Sequence, residues 1–352
     1  MNLRKIQDAN LKNKRVLLRV DFNVAEENGK VKESFKIKAA KKSIDYLLSQ
    51  NAKVALISHF GRPEGKVNPE FSLGKIEKDI EEILGVELAF ISDCVGDKVK
   101  EAMEDVGRPN LPADVLLLEN VRFYPGEENP ESGGEFVKLL SENFDIFVND
   151  AFSVCHRDQA SVTGVAKLLP SFAGFWLQEE IENLDKVKNN PVHPAVAIIG
   201  GAKIETKLPL IKNFEKNYDY VLVGGRVAVE AMDQKMQFSE KVILPIDFAQ
   251  DKMDIGPGTI KKFQEIIKNA KTIVWNGPMG KFEEKPYDIG TMEILASVIA
   301  SGAFSLMGGG ESVQILEEHS AMDKISFVST GGGAMLEYLS GAPMPGIDAL
   351  RE

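Results

Sequence analysis

The sequence predicts an α/β protein built from two doubly wound domains, each with a parallel sheet. Short runs rich in valine, isoleucine and leucine recur along the chain, and segments with helical periodicity separate them. Continuous apolar strands that alternate with amphipathic helices are typical of parallel sheets covered on both faces. The chain has 352 residues, whereas single hydrophobic cores stop growing beyond roughly 250–300 residues. The pattern therefore predicts two domains.

The apolar runs locate the predicted strands. In the first half they lie at residues 15–20, 53–57, 115–118 and 146–148, and in the second half at 195–199, 220–223, 242–244, 272–275 and 304–307. Helical periodicity predicts helices at 37–48, 73–84, 136–140 and 260–267. The alternation of the two patterns is the basis of the parallel-sheet prediction.

A domain boundary is predicted between residues 170 and 194. Pro170 and Gly174 precede a helical stretch at 175–188, and the sequence NNPVHP ends it before the next strand begins. We interpret this stretch as an inter-domain helix.

Composition narrows the class of partner. Forty-two basic and 53 acidic residues give a net charge of −11, which argues against nucleic acid and anionic membranes as partners. The two cysteines lie far apart and outside any metal-ligand spacing, as expected for a reducing, cytoplasmic setting. We find neither a signal core at the start nor an apolar stretch of roughly 18 residues. We expect a soluble cytoplasmic protein.

Polar residues follow four of the predicted strands in the first half. They are Asp21, Asn23, His59, Arg62, Arg122, His156 and Arg157. Ligands of open α/β sheets bind at the carboxyl ends of strands, and arginine recognises phosphate and carboxylate through a planar, permanently charged fork. This set predicts a small substrate with several negative charges. The alternative is that each arginine forms a surface salt bridge and each histidine is a hydrogen-bonded spacer.

Glycine clusters follow the strands of the second half, at residues 200–203, 224–226, 276–280, 308–312 and 331–334. Glycine lets backbone N–H groups approach phosphate at a helix N-terminus, although tight turns also use glycine for shape alone. Five clusters favour a nucleotide or polyphosphate cleft. No cluster fits the P-loop or the dinucleotide fingerprint, which argues against a standard NTPase and a Rossmann dehydrogenase.

Together these segments resemble the phosphoglycerate kinase family, from about residue 12 to the end of the chain. The segments that carry the resemblance are RVDFNV, SHFGRP, LENVRF, NDAF with HR, GGAK, WNGPMGKFE, GGGES and STGGGA. The resemblance implies a kinase with a carboxyl group as acceptor. Its reaction is reversible, Mg²⁺-dependent phosphoryl transfer between 1,3-bisphosphoglycerate with ADP and 3-phosphoglycerate with ATP, and its expected state is a monomer.

The resemblance also implies a division of labour between two Rossmann-like domains. We expect a phosphoglycerate-binding domain at 1–172, a hinge helix at 173–190 and a nucleotide-binding domain at 191–333. The segment 334–352 is expected to return to the first domain. Such an enzyme closes its domains around both ligands, which excludes water from the reaction.

Site residues are implied position by position. For the glycerate ligand they are Asp21, Asn23, Lys36, His59, Arg62, Arg122 and Arg157. For the nucleotide they are Gly201, Ala202, Lys207, Gly224, Gly225, Asn276, Pro278, Gly280, Glu283, Gly310, Glu311 and Ser312. Catalysis is assigned to Lys36, Lys203, Lys207 and Gly332, and Glu311 is the expected ligand of nucleotide-bound Mg²⁺.

Several positions depart from the family pattern. Lys36 replaces an arginine, Glu311 an aspartate, Arg226 a glycine and Lys281 an apolar residue, and the segment 226–241 is shorter than usual. A lysine keeps the charge of arginine but loses its fork. A diverged protein that binds phosphoglycerate or nucleotide with weak transfer, or an enzyme with another nucleotide preference, is therefore an alternative prediction.

Overall fold

The computed structural model describes residues 2–129 and 134–352, which divide into two compact units. Unit 1 comprises the chain up to Glu180 together with Pro343–Glu352, and unit 2 comprises Ile181–Ala342. Each unit contains a six-stranded sheet in which every pairing is parallel. The predicted fold class is therefore confirmed.

Unit 1 is built around the sheet order β5-β6-β4-β1-β7-β8. Its strands are β1 (Arg15–Arg19), the hairpin pair β2 (Glu26–Glu27) and β3 (Lys30–Val31), β4 (Lys53–Ile57), β5 (Leu88–Ile91), β6 (Val115–Leu118), β7 (Ile146–Asn149) and β8 (Ser171–Ala173). Its helices are α1 (Phe35–Ser49), α2 (Glu77–Leu84), α3 (Asp97–Asp105), α4 (Gly134–Ser141) and α5 (Val165–Leu168). Helix α6 (Phe175–Asn189) begins in unit 1 and ends in unit 2.

Alternate residues of the central strands fill two separate cores. Val16 and Leu18 of β1 pack with α1 and α2 on one face, whereas Leu17 packs with α3 and α4 on the other. Successive side chains of a strand point to opposite faces, so a sheet covered on both sides needs continuous apolar strands. The polar residues of the site are thereby restricted to the strand ends.

Unit 2 has the sheet order β11-β10-β9-β12-β13-β14. Its strands are β9 (Ala195–Ile199), β10 (Tyr220–Val223), β11 (Val242–Ile243), β12 (Thr272–Asn276), β13 (Phe304–Gly308) and β14 (Phe327–Ser329). The helices are α7 (Ile204–Asn217), α8 (Gly225–Asp233), α9 (Pro257–Ile267), α10 (Ile289–Ser301), α11 (Gly310–Glu318) and α12 (Gly332–Ser340). The winding reverses between β9 and β12, where doubly wound sheets bind their ligands.

Three strands of the two six-stranded sheets were not predicted from the sequence: β5, β8 and β14. Each lies at an edge of its sheet, and each has only three or four residues. Equally short strands were predicted where valine, isoleucine and leucine dominate, as in β6 (VLLL), whereas β5 (LAFI), β8 (SFA) and β14 (FVS) contain alanine or serine and do not stand out as apolar runs.

The single helix predicted at 73–84 was wrong in its first turn. Leu73–Lys75 is a 3₁₀ turn, and α2 begins only at Glu77. The carboxylate of Glu119 accepts the Leu73 N–H at 3.0 Å, and the Ser72 hydroxyl accepts the Gly74 N–H at 3.2 Å. These side-chain acceptors satisfy the first turn locally, so it does not continue into α2.

The last residues of the chain pack on unit 1. Helix α13 (Pro345–Asp348) follows Pro343, and the Gly346 N–H donates to Cys155 O at 2.9 Å. The Arg4 guanidinium donates to Ala349 O at 2.7 Å. Residue 334, where the sequence predicted the return to begin, lies inside α12 of unit 2. Within the described part of the chain, no helix is long and apolar enough to cross a membrane.

Candidate functional site

Strands β6, β4, β1 and β7 are neighbours in the sheet of unit 1. The residues that follow these strands therefore meet at one edge, where the sequence predicted a site for an anion. The seven polar residues predicted there all lie on these loops or, for Lys36, in the first turn of α1.

Asp21 and Lys36 form the acidic and basic centre of this edge. Lys36 Nζ lies 3.2 Å from Asp21 Oδ2 and donates to Asn23 O at 2.9 Å. Asn23 Oδ1 in turn accepts the Gly61 N–H at 2.9 Å. Burial is the largest single influence and raises the pKa of Asp21, but the neighbouring charges and hydrogen-bond donors, with Lys36 the strongest, together outweigh burial and lower that pKa to about 2. Asp21 is therefore ionised at neutral pH.

The three arginines differ in exposure. The Arg122 side chain is only 7% exposed, donates from Nη1 to Gly61 O at 2.9 Å and places Nε 3.0 Å from Glu128 Oε1. Arg157 is half-buried and donates to His156 Nε2 at 3.2 Å, while Arg62 is exposed. Burial lowers the pKa of Arg122, Glu128 opposes this, and Arg157 and Arg62 lower it further. The three guanidinium groups are thus close enough for their positive charges to interact.

His59 is buried behind this edge. Its pKa lies well below the ordinary value because of burial and the neighbouring charge of Arg19, so the imidazole is neutral at pH 7. Arg19, the last residue of β1, is completely buried and was given no role from the sequence. Nothing in an apolar strand pattern indicates that its terminal arginine points into the protein rather than into water.

Asn120 is a second residue whose role the sequence did not indicate. Its fully buried amide accepts the Phe60 N–H at 3.2 Å and the Arg122 N–H at 3.0 Å. It also donates to Phe60 O at 2.6 Å and to Phe71 O at 2.9 Å. Asn120 therefore holds the loops that carry His59, Arg62 and Arg122 together, and asparagine is a common residue at such turns.

In unit 2, Lys207 and Asn276 meet where the winding reverses. Lys207 Nζ donates to Asn276 Oδ1, and the Asn276 amide donates to Gly308 O. Asn276 is 2% exposed. Burial lowers the pKa of Lys207 to about 8, and the negative charge of Glu311 opposes this change. A partly desolvated lysine is thus fixed between the loops after β9, β12 and β13.

The glycine turns of unit 2 pack backbone against backbone. A Cβ atom added at Gly200 would collide with Pro278 O and lie 2.7 Å from Gly277 O. One added at Gly277 would lie 2.5 Å from Gly200 O, and one at Gly332 would lie 2.9 Å from Gly309 Cα. Glycine is needed at these positions because the backbones of neighbouring turns approach each other closely. The sequence offered two explanations for the glycines, the shape of a tight turn and access of a phosphate to backbone N–H groups, and both depend on these same residues.

Two cavities lie at these turns. The smaller has a volume of about 310 Å³ and is lined by Lys207, Asn276, Gly310, Glu311, Ser312 and Gly332, among others. The larger, of about 520 Å³, is lined by Gly201, Ala202, Pro278, Gly280, Glu283 and Glu311, together with charged residues described below. Glu311 belongs to both linings. Each volume lies within the range of roughly 300–1,000 Å³ that is usual for small-ligand sites.

Other predicted nucleotide residues lie outside these linings. Gly224 and Gly225 pack against Met279, and the Gly225 N–H donates to Met279 O at 2.8 Å. Lys203, which was predicted to be catalytic, is exposed immediately before α7 and also lies outside both linings. Ser312, in contrast, is 1% exposed, lines the smaller cavity and accepts the Gly277 N–H at 3.1 Å.

The larger cavity also contains charged residues that the sequence did not assign: Glu230, Asp233, Asp251 and Lys252. Arg226 is exposed, and its Nε lies 2.9 Å from Glu230 Oε1. The other carboxylate oxygen of Glu230 accepts the Ile204 N–H at 3.1 Å, at the start of α7. Lys281 pairs with Glu284. These residues could be grouped only after folding, because Asp251 and Lys252 come from a loop distant in sequence.

A basic edge in one α/β unit and glycine-lined cavities around a lysine and a carboxylate in the other are typical of enzymes that transfer phosphoryl groups between small molecules. The family model described as phosphoglycerate kinase matches residues 6–242 and 230–342. The chain belongs to the phosphoglycerate kinase family. The reaction of that family transfers a phosphoryl group to the carboxyl group of 3-phosphoglycerate, a step of glycolysis.

Individual relatives are similar over their whole length. The phosphoglycerate kinase of Moorella thermoacetica is 39% identical over 393 positions, covering 99% of this chain and 98% of the relative. That of Finegoldia magna is 38% identical, covering 100% of both chains. Both alignments contain more positions than the 352 residues of this chain, so the relatives carry segments that it lacks. The two matched segments of the family model overlap at 230–242, which covers most of the segment 226–241 that was predicted to be shortened.

Solved structures of the family have the same fold. The crystal structure of phosphoglycerate kinase from Pyrococcus horikoshii has a TM-score of 0.87 at 31% identity, covering 99% of this chain and 98% of that one. The structure from Coxiella burnetii has a TM-score of 0.82 at 34% identity, with the same coverage.

Proposed function

We propose that this protein is an active phosphoglycerate kinase that moves a phosphoryl group reversibly between 1,3-bisphosphoglycerate and ADP. The observation that carries the proposal is that both expected sets of charge occur at strand ends. Arg62, Arg122 and Arg157 lie at one sheet edge of unit 1, and Lys207 lies at the winding reversal of unit 2.

Unit 1 binds the glycerate ligand in this proposal. The guanidinium groups of Arg62, Arg122 and Arg157 bind its phosphate and carboxylate as planar forks. Asp21, which is ionised, accepts from the ligand hydroxyl, and Asn23 holds the Gly61 loop in place. The neutral His59 donates a hydrogen bond without adding charge.

Unit 2 binds the nucleotide. The turns at Gly201, Gly310 and Gly332 bring backbone N–H groups and helix N-termini close to the phosphates, and Ser312 holds the Gly277 loop. Glu283, exposed at the larger cavity, accepts from the ribose hydroxyls. The remaining nucleotide residues, Ala202, Gly224, Gly225, Pro278 and Gly280, shape these loops.

Phosphoryl transfer requires positioning and charge neutralisation rather than a protein nucleophile. In the forward reaction the β-phosphate oxygen of ADP bonds to the phosphorus, and the bond from phosphorus to the acyl oxygen breaks, leaving a carboxylate. Lys207 and Lys36 neutralise the equatorial oxygens during this exchange. Lys203 adds positive charge at the start of α7.

Magnesium fits the nucleotide side. Glu311 is exposed. The pKa of its carboxyl is raised by partial desolvation and by the charge of Glu283, while Lys207 opposes this rise. Such a carboxylate gains from a cation, and Mg²⁺ needs only one or two carboxylates besides phosphate and water. Glu311 would hold the ion, which supplies neutralisation of phosphate charge when bound.

The direct test is turnover of ATP that depends on 3-phosphoglycerate, measured on the purified protein with Mg²⁺. We expect Lys207→Ala to reduce kcat by at least about 100-fold, because removal of one preorganised donor to a developing charge costs that much. Lys216→Ala is the matched control, since Lys216 is exposed on the same helix. If the protein bound its ligands but showed no turnover, the proposed kinase activity would be wrong and the protein would be a binding protein.

Lys36 decides how efficient the enzyme is. Lys36→Arg restores the planar fork and should raise kcat about tenfold, since another hydrogen bond to a charged group contributes about 1.5–3 kcal/mol. Lys38→Arg, an exposed change on the same helix, is the control. An unchanged kcat would show that the Nζ contacts of Lys36 already suffice.

The charged lining of the larger cavity favours a second candidate, an enzyme with altered base preference. Arg226, Glu230 and Lys252 line the larger cavity, so a base bound there would meet charged side chains in a kind of site that is usually lined by apolar ones. We expect Arg226→Ala to change the ratio of kcat/KM for ATP and GTP at least about threefold, with KM for 3-phosphoglycerate unchanged. An unchanged ratio would exclude Arg226 from base recognition.

We further propose a cytoplasmic monomer with only small-molecule partners and no nucleic acid or membrane partner. The net charge of −11 supports this. Light scattering of the purified protein during size-exclusion chromatography tests the oligomeric state, and a mass near 38.7 kDa is expected.

A further inference from the structure

Arg19 is the most deeply buried cation beside the glycerate site, yet it has no solvent-accessible surface with which to contact a ligand. Its Nε–H donates to Ser161 Oγ at 3.0 Å, and Nη1 donates to Val20 O. Nη2 lies 3.2 Å from His59 Nδ1. All sides of the guanidinium are thus occupied by protein.

A buried carboxylate fixes the far side of Arg19. Ser161 donates its hydroxyl proton to Glu127 Oε1 at 2.6 Å and its backbone N–H to Glu127 Oε2 at 2.9 Å. Glu127 has no exposed surface. Since the Ser161 proton is directed to Glu127, the hydroxyl lone pair accepts from Arg19, and the chain Glu127–Ser161–Arg19–His59 has a single direction.

This direction determines the tautomer of His59. A guanidinium group carries only donors, so His59 Nδ1 must accept and cannot carry a proton. A neutral imidazole then carries its proton on Nε2. Of the charged groups facing the ring, Arg19, Arg122 and Lys36 disfavour a second proton, and Asp21 alone favours it.

We propose that Arg19, held by Ser161 and Glu127, is a positioning residue that fixes His59 as the Nε2–H tautomer and so presents the glycerate ligand with a neutral N–H donor. The ligand role of His59 rests on the proposed function, whereas the tautomer does not. Arg19 acts through His59 and touches no reacting atom. His59 can thus donate a hydrogen bond while it stays neutral. A histidine that took up a second proton would change the charge of the site with pH.

The test is ¹⁵N NMR of the imidazole nitrogens in the uniformly labelled full-length protein. The chain has only four histidines, and loss of one pair of signals in His59→Gln assigns the residue, with His319→Gln, an exposed site, as control. We expect a protonated Nε2 and an unprotonated Nδ1 from pH 5.5 to 8. A protonated Nδ1, or a ring that gains a second proton in this range, would overturn the proposal.

Variants of Arg19 connect the tautomer to binding. Arg19→Gln should give a mixture of tautomers or a ring that titrates, and it should raise KM for 3-phosphoglycerate about tenfold while kcat and KM for ATP change little. Arg19→Lys, which keeps a donor and the charge, should restore the Nε2–H signal. Should Arg19→Gln not fold, Ser161→Ala interrupts the same chain at its middle and is read in the same way.

The positioning role of Arg19 and the proposed reaction can be tested separately. If the protein shows no turnover but His59 remains the Nε2–H tautomer in the wild type and loses it in Arg19→Gln, the positioning role stands and the proposed reaction falls. If turnover is normal and the tautomer is unaffected by Arg19→Gln, the positioning role is wrong and the proposed reaction stands.

Discussion

The two units form their sites by opposite means, although both use the carboxyl ends of a doubly wound parallel sheet. In unit 1 the site consists of long side chains held by other side chains and by backbone carbonyls, as Arg122 is by Glu128 and by Gly61 O. In unit 2 it consists mostly of backbone, with glycines packed so closely that a methyl group does not fit at Gly200 or Gly277. The site of unit 1 therefore depends on side-chain functional groups, whereas the site of unit 2 depends on the absence of side chains at its glycines.

The difference matters for what each unit can recognise. A guanidinium fork identifies the shape and charge of a carboxylate or phosphate, which suits a small ligand that must be distinguished from other acids. Backbone N–H groups bind any phosphate that can approach, which suits the common part of all nucleotides. If backbone N–H groups bind the phosphates in unit 2 as proposed, selectivity for the base must come from other contacts, and the charged residues around Arg226 are the candidates.

The largest expected effect comes from adding one methyl group to unit 2. In Gly200→Ala the new Cβ collides with Pro278 O, so the loop after β12 must move. A displacement of about 1 Å in a catalytic site costs roughly 100-fold in rate, and we expect at least that loss in kcat/KM for ATP. Steady-state kinetics with both substrates measures it.

Gly134→Ala is the matched control, because a Cβ there meets nothing within 4 Å and the residue begins α4 in unit 1. Equal losses in the two variants would contradict the view that unit 2 depends on backbone contact.

Removing single side chains from unit 1 should have intermediate effects that depend on burial. Arg62 is exposed, so Arg62→Ala should raise KM for 3-phosphoglycerate about 10–100-fold, the value of one charged hydrogen bond, without lowering Tm. Arg122→Ala should do both, since it also leaves the Gly61 carbonyl without its donor. Kinetics and thermal unfolding of both variants distinguish the two roles.

A Tm loss in Arg62→Ala equal to that in Arg122→Ala would show that the exposed arginine also supports the fold. That result would contradict the division of the arginines in unit 1 into those that only bind ligand and those that also hold a loop.

The smallest expected effect is a pH dependence that the two units share. Asp150 accepts the Leu177 N–H at the start of α6, and Asp254 accepts the Gly290 N–H at the start of α10. Burial raises the pKa of each carboxyl to about 6, above the value of about 3.9 expected when unfolded. Each group therefore binds more protons in the native state, and its contribution to the free energy of unfolding is lost as pH rises through about 6.

Asp150→Asn and Asp254→Asn should each flatten the decline of Tm between pH 4 and pH 7 by on the order of 2–4 °C. Scanning calorimetry of the wild type and both variants across this range checks the sign. A Tm that rises with pH specifically because of either aspartate would contradict the raised pKa.

The sequence was informative about this molecule wherever position along a strand determines position in space. Asp21 and the glycine turns could be assigned to sheet edges because they follow recognisable strands, and Asn276 could be assigned because it ends one. Arg19 and Asn120 could not, because the same pattern describes a residue that faces water and one that points inward. Asp251 and Lys252 were missed for another reason: their loop reaches the cavity through tertiary packing alone.

Residues near the two ends of the chain pair with each other, which makes this protein suitable for circular permutation. Leu3 and Arg351 form an antiparallel bridge, and the Arg4 N–H donates to Leu350 O at 3.0 Å. Unit 2 thus lies between two pieces of unit 1 along the sequence, and residues 343–352 complete unit 1. Because the ends already meet, a short linker could join them and the chain could be reopened at an exposed loop as a circular permutant.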